Sequence, residues 1–357
     1  MLYLKYFAIT GILPLLFFLF LGFYLQPLSG DLTRVGSFAE RDFGWNAVQP
    51  TLKVNENQET LKPSVVVLGD SFSKWNIWQS AATENSGLNF LTFSLDEFGN
   101  PNCLESWILS LKDVYASVQV IIVETSERRF LSVFNSPQNF CQNWNKKPIK
   151  LEAVKVDRLP AQEKINIRPA RVKINIREAL PDPVYAIRAA LNTLKTFDAA
   201  TMSGDVIVAP LNRTDLFSNN RSDLILYYKA DNSKRDWKSD DIRKAVSKIR
   251  RIQDLARSRG ITLIILAIPD KSTVYSKFFT APQFLAQPPD VWKELDEQGV
   301  NQVDLKRELL SAVDSNQDLY LPNDSHLGIK GYILMGNAVA NNLKQNKLLS
   351  CELTLLQ

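Results

Sequence analysis

The sequence predicts an α/β fold, a mostly parallel sheet with helices on both faces, preceded by an N-terminal transmembrane helix. Three observations carry that expectation. Short apolar runs recur between polar turn residues, as strands of a buried sheet do. Longer segments with apolar residues at helical spacing separate them, the alternation that joins parallel strands through crossover helices. Finally, residues 6–25 carry no charge, and roughly 20 apolar residues cross a bilayer core.

The uncharged stretch follows Lys5, which favours an N-inside orientation. Pro14 is compatible with a membrane helix. The competing reading is a cleaved signal peptide, whose apolar region is shorter and ends in a small-x-small cleavage site that does not follow Leu25 here. Both readings export the remainder of the chain. Residues 1–28 are thus an anchor or signal, 29–62 a polar linker, and 63–350 one domain with an elaboration at about 130–240.

Within that domain, residues 65–68 (Val-Val-Val-Leu) and 88–93 read as the first two strands. Residues 103–116 place Leu104, Trp107, Ile108, Leu111 and Tyr115 on one helical face. Residues 118–124 form a third strand. In the elaboration, two near-repeats, 164–168 and 173–177 (both Lys-Ile-Asn-Ile-Arg), flank Pro169 and Ala170 and read as a hairpin. Its basic face is read as solvated, in preference to a docking strip for an anionic glycan or membrane headgroups. Residues 183–197 read as a helix, and 215–229 as a turn and then a strand. Residues 242–259 form an amphipathic helix stopped by Gly260. Residues 261–268 are the fourth strand, ended by Pro269, and 305–313 and 328–343 are further helices.

At 45% hydrophobic and 22% charged, the composition is that of an ordinary globular protein. The net charge of +4 over 357 residues favours an anionic surface or polymer only weakly. With no basic tract, it argues against nucleic acid. Of the three cysteines, Cys103 and Cys141 could pair in an exported protein, leaving Cys351 free, and three unpaired cysteines fit equally. No Cys/His spacing suggests a metal site, and no cofactor is expected.

The chain contains one histidine, His326, in Asn323-Asp324-Ser325-His326-Leu327. Ser71 follows the first strand in Gly69-Asp70-Ser71-Phe72-Ser73. A serine at the carboxyl end of a parallel strand faces the crevice where such sheets bind ligands, and Gly69 leaves room for a tight turn. The backbone N–H of Ser71 can then point at a developing oxyanion. His326 precedes a predicted helix, whose dipole disfavours imidazolium by up to roughly 1 kcal/mol. Asp324 can fix its tautomer. Ser71, His326 and Asp324 are therefore the candidate nucleophile, base and orienting carboxylate.

These blocks resemble the SGNH (GDSL-type) esterases and acyltransferases, and more narrowly the SGNH-like domains of alginate O-acetylation proteins. Residues 69–73 match the nucleophile block and 324–326 the Asp-x-His block. Residues 123–128 (Val-Glu-Thr-Ser-Glu-Arg) and 268–275 (Ile-Pro-Asp-Lys-Ser-Thr-Val-Tyr) are similar to segments of the alginate group. The resemblance implies an SGNH/flavodoxin-like sheet. The superfamily's Gly-x-Asn-Asp block is absent, and 124–128 stands in its place. Gly99 is the candidate oxyanion glycine, Asn100 or Asn102 could assist, and Asp70 joins the oxyanion and substrate-binding set. Glu124 and Arg128 are read as a structural ion pair. The implied function is an exported, membrane-anchored O-acetyltransferase with an acetyl-serine intermediate. Its acceptor is a polysaccharide, its acetyl donor a membrane-bound O-acyltransferase, and its domain lies on the extracytoplasmic side of the inner membrane. The alternatives are a carbohydrate or lipid acetylesterase and a non-catalytic glycan-binding subunit.

Overall fold

In the computed structural model, the structure describes residues 2–25, 30–55, 62–96, 103–135, 183–280 and 288–345. The chain opens with α1 (Leu2–Phe7), a π-helical stretch (Ala8–Ile12) and α2 (Leu13–Leu25). Together they make an apolar helix long enough to cross a membrane, with its Leu2–Leu21 window unburied. Two short helices follow, α3 (Asp31–Gly36) and α4 (Glu40–Phe43).

The main sheet holds β1 (Val65–Gly69), β2 (Phe90–Ser94), β3 (Val120–Ser126) and β7 (Thr262–Ile268), all parallel, in the order β2-β1-β3-β7. A bridge from Ile265 to Gln302 begins a fifth position beside β7. Crossovers run through α5 (Ile77–Ser86), α6 (Leu104–Val114), α7 (Phe130–Phe134), α9 (Ser239–Ser258) and α11 (Val291–Glu297), and α12 (Leu305–Ala312) and α13 (Ile329–Gln345) follow the last sheet position. The sheet is buried on both faces because successive side chains alternate. Val65, Val67, Ile122 and Ile264 join Trp78, Leu309 and Met335 on one side. Val66, Leu68, Ile121 and Ile265 meet Trp107, Ile249 and Leu295 on the other.

The elaboration contributes α8 (Pro183–Thr193) and an antiparallel sheet of β4 (Thr201–Ser203), β5 (Val206–Pro210) and β6 (Leu224–Tyr228). The predicted strand in 215–229 corresponds to β6. The predicted hairpin at 164–177 lies outside the described residues. The short helix α10 (Lys271–Val274) follows β7.

Residues 30–43 differ from the expected polar linker. Leu32, Phe38 and Phe43 are buried with Val206, Val208 and Leu226 in a core of their own. Gly30 lies so close to Asn323 that a Cβ would collide with its backbone carbonyl. The segment reads as a linker because Arg34, Glu40, Arg41 and Asp42 interrupt its apolar residues. Glu40 is met inside the fold, where Thr33 donates to it at 2.7 Å, and Arg41 pairs with Asp42. Cys103 is fully buried and disulfide-bonded, which excludes three unpaired cysteines. Its partner lies outside the described residues.

Candidate active site

The order β2-β1-β3 reverses direction at β1, the switch point where open α/β sheets form a crevice. Ser71 stands there on the turn leaving β1. The turn is held from inside. Ser73 N–H bonds the Asp70 carbonyl at 3.1 Å. Asp70 Oδ1 accepts from Phe72 N–H at 3.1 Å, and Oδ2 from Ser126 N–H on β3 at 3.1 Å. Arg129 lies 3.6 Å from the same carboxylate. Asp70, expected among the oxyanion and substrate-binding residues, is instead buried and braces the turn. An acceptor-only carboxylate with backbone donors on both oxygens has nothing to offer an oxyanion.

Glu124 on β3 is fully buried beneath the turn. Its Oε2 accepts from Asp70 N–H at 3.0 Å and from the Ser73 hydroxyl at 2.5 Å. Trp78 Nε1–H donates to Ser73 Oγ at 3.0 Å. Burial pushes the Glu124 carboxyl well above the ordinary carboxylate pKa, and the Asp70 charge adds to that. A side chain at Gly69 would collide with Ser73 and press on Glu124. The expected Glu124–Arg128 ion pair does not form. Arg128 bonds Asp270 at 2.9 Å and Asp231 at 3.3 Å, because it points to the β7 end while Glu124 points under β1.

His326 comes from the loop before α13. Its Nε2 lies 2.8 Å from Ser71 Oγ, and its Nδ1 2.6 Å from Asp324 Oδ1. The same Oδ1 accepts from His326 N–H at 2.9 Å. The two-residue spacing thus lets one carboxylate oxygen hold both the backbone and the ring. With Nδ1–H donating to Asp324, Nε2 is left to accept the Ser71 proton, a tautomer assigned from the network. Phe72 and Trp75 wall the imidazole, with ring centroids at 4.8 and 5.7 Å.

Electrostatics here depart from the helix-dipole expectation. Burial disfavours imidazolium, but the hydrogen bond and charge of Asp324, then Asp31 and Asp70, outweigh it, so the His326 pKa is raised above its ordinary value. Asp324, although buried, is held down at about 2 by His326. Adjacent carboxylates act at contact distance, whereas the helix term is confined to the first turn.

Sequence reasoning missed Asp31. Its Oδ1 accepts from Ser325 N–H at 2.8 Å and its Oδ2 from the Ser325 hydroxyl at 2.5 Å. Its own N–H donates to Asp324 Oδ2 at 3.1 Å, and Oδ2 lies 3.9 Å from His326 Nδ1. The Tyr228 hydroxyl donates to it at 3.2 Å. Only long-range packing brings Asp31 there, and no local motif announces it. Asp31, Asp324 and His326 converge within 4.8 Å, yet these hydrogen bonds already occupy their facing atoms.

Lys271 braces the His326 loop from below. Its Nζ donates to the carbonyls of Leu321 (2.7 Å), Pro322 (2.9 Å) and Asp324 (3.1 Å). Burial lowers its pKa to about 7 against the pull of Asp324 and Asp31. The two segments that resemble the alginate group meet at the carboxyl ends of the neighbouring strands β3 and β7, where Glu127 accepts from Asp270 N–H at 3.0 Å and also from Lys234 at 2.7 Å. Gly99, Asn100 and Asn102 lie outside the described residues.

The fold and this constellation define an α/β domain with a strand-end serine hydrogen-bonded to a carboxylate-held histidine. Residues 223–353 match the family described as SGNH hydrolase-like domain, acetyltransferase AlgX. The match supports an SGNH-like domain of the alginate acetyltransferase type over that stretch. It contains Asp324 and His326 and begins after Ser71. Comparison with curated proteins and with solved structures found no match.

Proposed function

We propose that this protein is an exported, membrane-anchored O-acetyltransferase that moves acetyl groups to hydroxyls of a cell-surface polysaccharide through an acetyl-serine intermediate. The observation that carries the reading is the Ser71–His326–Asp324 hydrogen-bond chain at the sheet's switch point. The acetyltransferase family match over the histidine half supports it. Ser71 Oγ attacks the acetyl carbonyl as its proton passes to His326 Nε2. Collapse of the tetrahedral intermediate expels the donor's oxygen, which takes that proton. An acceptor hydroxyl, deprotonated by His326, then attacks acetyl-Ser71 and restores the free serine. Backbone N–H groups of Ser71 and Gly99 are the proposed oxyanion donors. Asp324 holds the imidazole and stabilises its charged form.

The apolar α1–α2 helix fits an inner-membrane anchor with the domain on the extracytoplasmic side. A membrane-bound O-acyltransferase would supply acetyl from within the bilayer. The exposed Ser71 hydroxyl favours one second reading, a carbohydrate or lipid acetylesterase in which water replaces the sugar.

The test uses the full chain in detergent with an activated acetyl ester and an acceptor oligosaccharide. Mass spectrometry is expected to find acetyl on Ser71 and then on the sugar. Ser71→Ala and His326→Ala are each expected to lower turnover by on the order of a thousandfold or more. Acetate release without sugar acetylation selects the esterase. Wild-type behaviour of both variants, with no acetyl-serine, ends the catalytic reading.

A further inference from the structure

Helix α8 is held on one side and bare on the other. On its inner side, Ala186 and Ala189 are buried beside Ala39, and Leu21 of α2 packs on this small cluster. The Tyr185 hydroxyl donates to the Phe38 carbonyl at 2.8 Å, and Asn192 Nδ2 to the Ser37 carbonyl at 3.0 Å. The opposite face carries Ile187 and Leu191, 43% and 54% exposed, and Leu194, 83% exposed, extends it just past the helix end, its N–H bonded to the Ala190 carbonyl at 3.3 Å. Their spacing of four and then three residues puts them in one stripe. Arg188 and Lys195, both exposed, accompany it.

A bare apolar stripe on a short helix needs an occupant, and the neighbouring helix identifies it. Leu21 closes the Leu2–Leu21 window of the apolar helix, so α8 touches α2 in the C-terminal part of that helix. Leu13, Leu15 and Leu16 of α2 are themselves exposed apolar side chains. We infer that α8 lies in the bilayer interface, with Ile187, Leu191 and Leu194 in the acyl boundary and Arg188 and Lys195 at anionic headgroups. Such helices bury their apolar face roughly 5–10 Å into the headgroup region. This inference rests on the reading of α1–α2 as a bilayer anchor. Its consequence is geometric. Through Ser37 and Phe38, α8 holds the 30–43 segment whose Asp31 is bonded to the His326 loop. The catalytic loop is therefore tied to a fixed height and attitude at the membrane surface, where an acyl group from a membrane-embedded donor arrives.

The experiment places a photoreactive side chain in the full chain, Leu191→p-benzoylphenylalanine, reconstituted in phosphatidylcholine–phosphatidylglycerol vesicles. The same substitution at Leu15 reports the anchor, and at Arg243, exposed on α9, reports water. After irradiation, mass spectrometry is expected to find a phospholipid adduct at positions 15 and 191 and none at 243. Lipid at 15 with no lipid at 191 overturns the inference and leaves the anchor standing. A cross-link from 191 to a second copy of the chain overturns it in favour of self-association. No lipid at 15 overturns the anchor reading, and the inference with it.

Discussion

Two carboxylates, not one, face the Nδ1 side of His326. Asp324 is bonded to it at 2.6 Å, and Asp31 stands 3.9 Å away. Because both favour imidazolium, the histidine pKa is raised. As the proposed base, His326 must be neutral to accept the serine proton, so activity is expected to rise with pH through that raised value. Asp31→Asn keeps an acceptor for Ser325 N–H but removes one negative charge. The His326 pKa then falls, and the acid limb of the kcat/KM profile is expected to move to lower pH by on the order of one unit. An unmoved limb with lowered kcat would make Asp31 a clamp on Ser325 alone. Asp31 itself has a raised pKa, from burial and then the Asp324 charge, so it loses its influence first as pH falls.

At the scale of elements, the parallel strands were legible because four short apolar runs with helices between them admit few other arrangements. Ser71 and the Asp324–His326 pair were legible because their chemistry is local to a strand end and to a two-residue spacing. What braces them was not. Glu124 under the turn, Ser73 between Glu124 and Trp78, and Lys271 under the loop are single polar residues whose partners lie far along the chain. A buried lysine looks in sequence like any surface lysine. Its weight is measurable: Lys271→Met takes the ammonium donor from three carbonyls of the 321–324 stretch, of which Leu321 keeps the Asp324 N–H. The offsetting gain is relief from burying an ammonium. Breaking the bracing is expected to cost about 2–4 kcal/mol net, read from the urea midpoint at unchanged slope. Ser71 reactivity should fall with it, since the Asp-x-His loop hangs on those carbonyls.

At the scale of the molecule, the 30–43 segment decides where the folded unit begins. Its charges made it look like a tether, yet Leu32, Phe38 and Phe43 are 0%, 1% and 3% exposed. Each such side chain contributes about 1.5–3 kcal/mol when fully buried, a large share of the 5–15 kcal/mol typical of a whole domain. The same segment delivers Asp31 to the His326 loop. A chain starting at Pro27, beyond the apolar helix, is therefore expected to unfold cooperatively and to label at Ser71 with an activated ester. A chain starting at Gly44 differs only in losing this segment. It is expected to melt at least about 5 °C lower and to label poorly, because the 323–326 loop loses Asp31 and the Leu32 and Thr33 N–H donors to the Asn323 carbonyl. Thermal melting and ester labelling of the two chains side by side check this. Equal melting and labelling would show that the 30–43 segment and the His326 loop are mechanically independent, and the segment a tether after all.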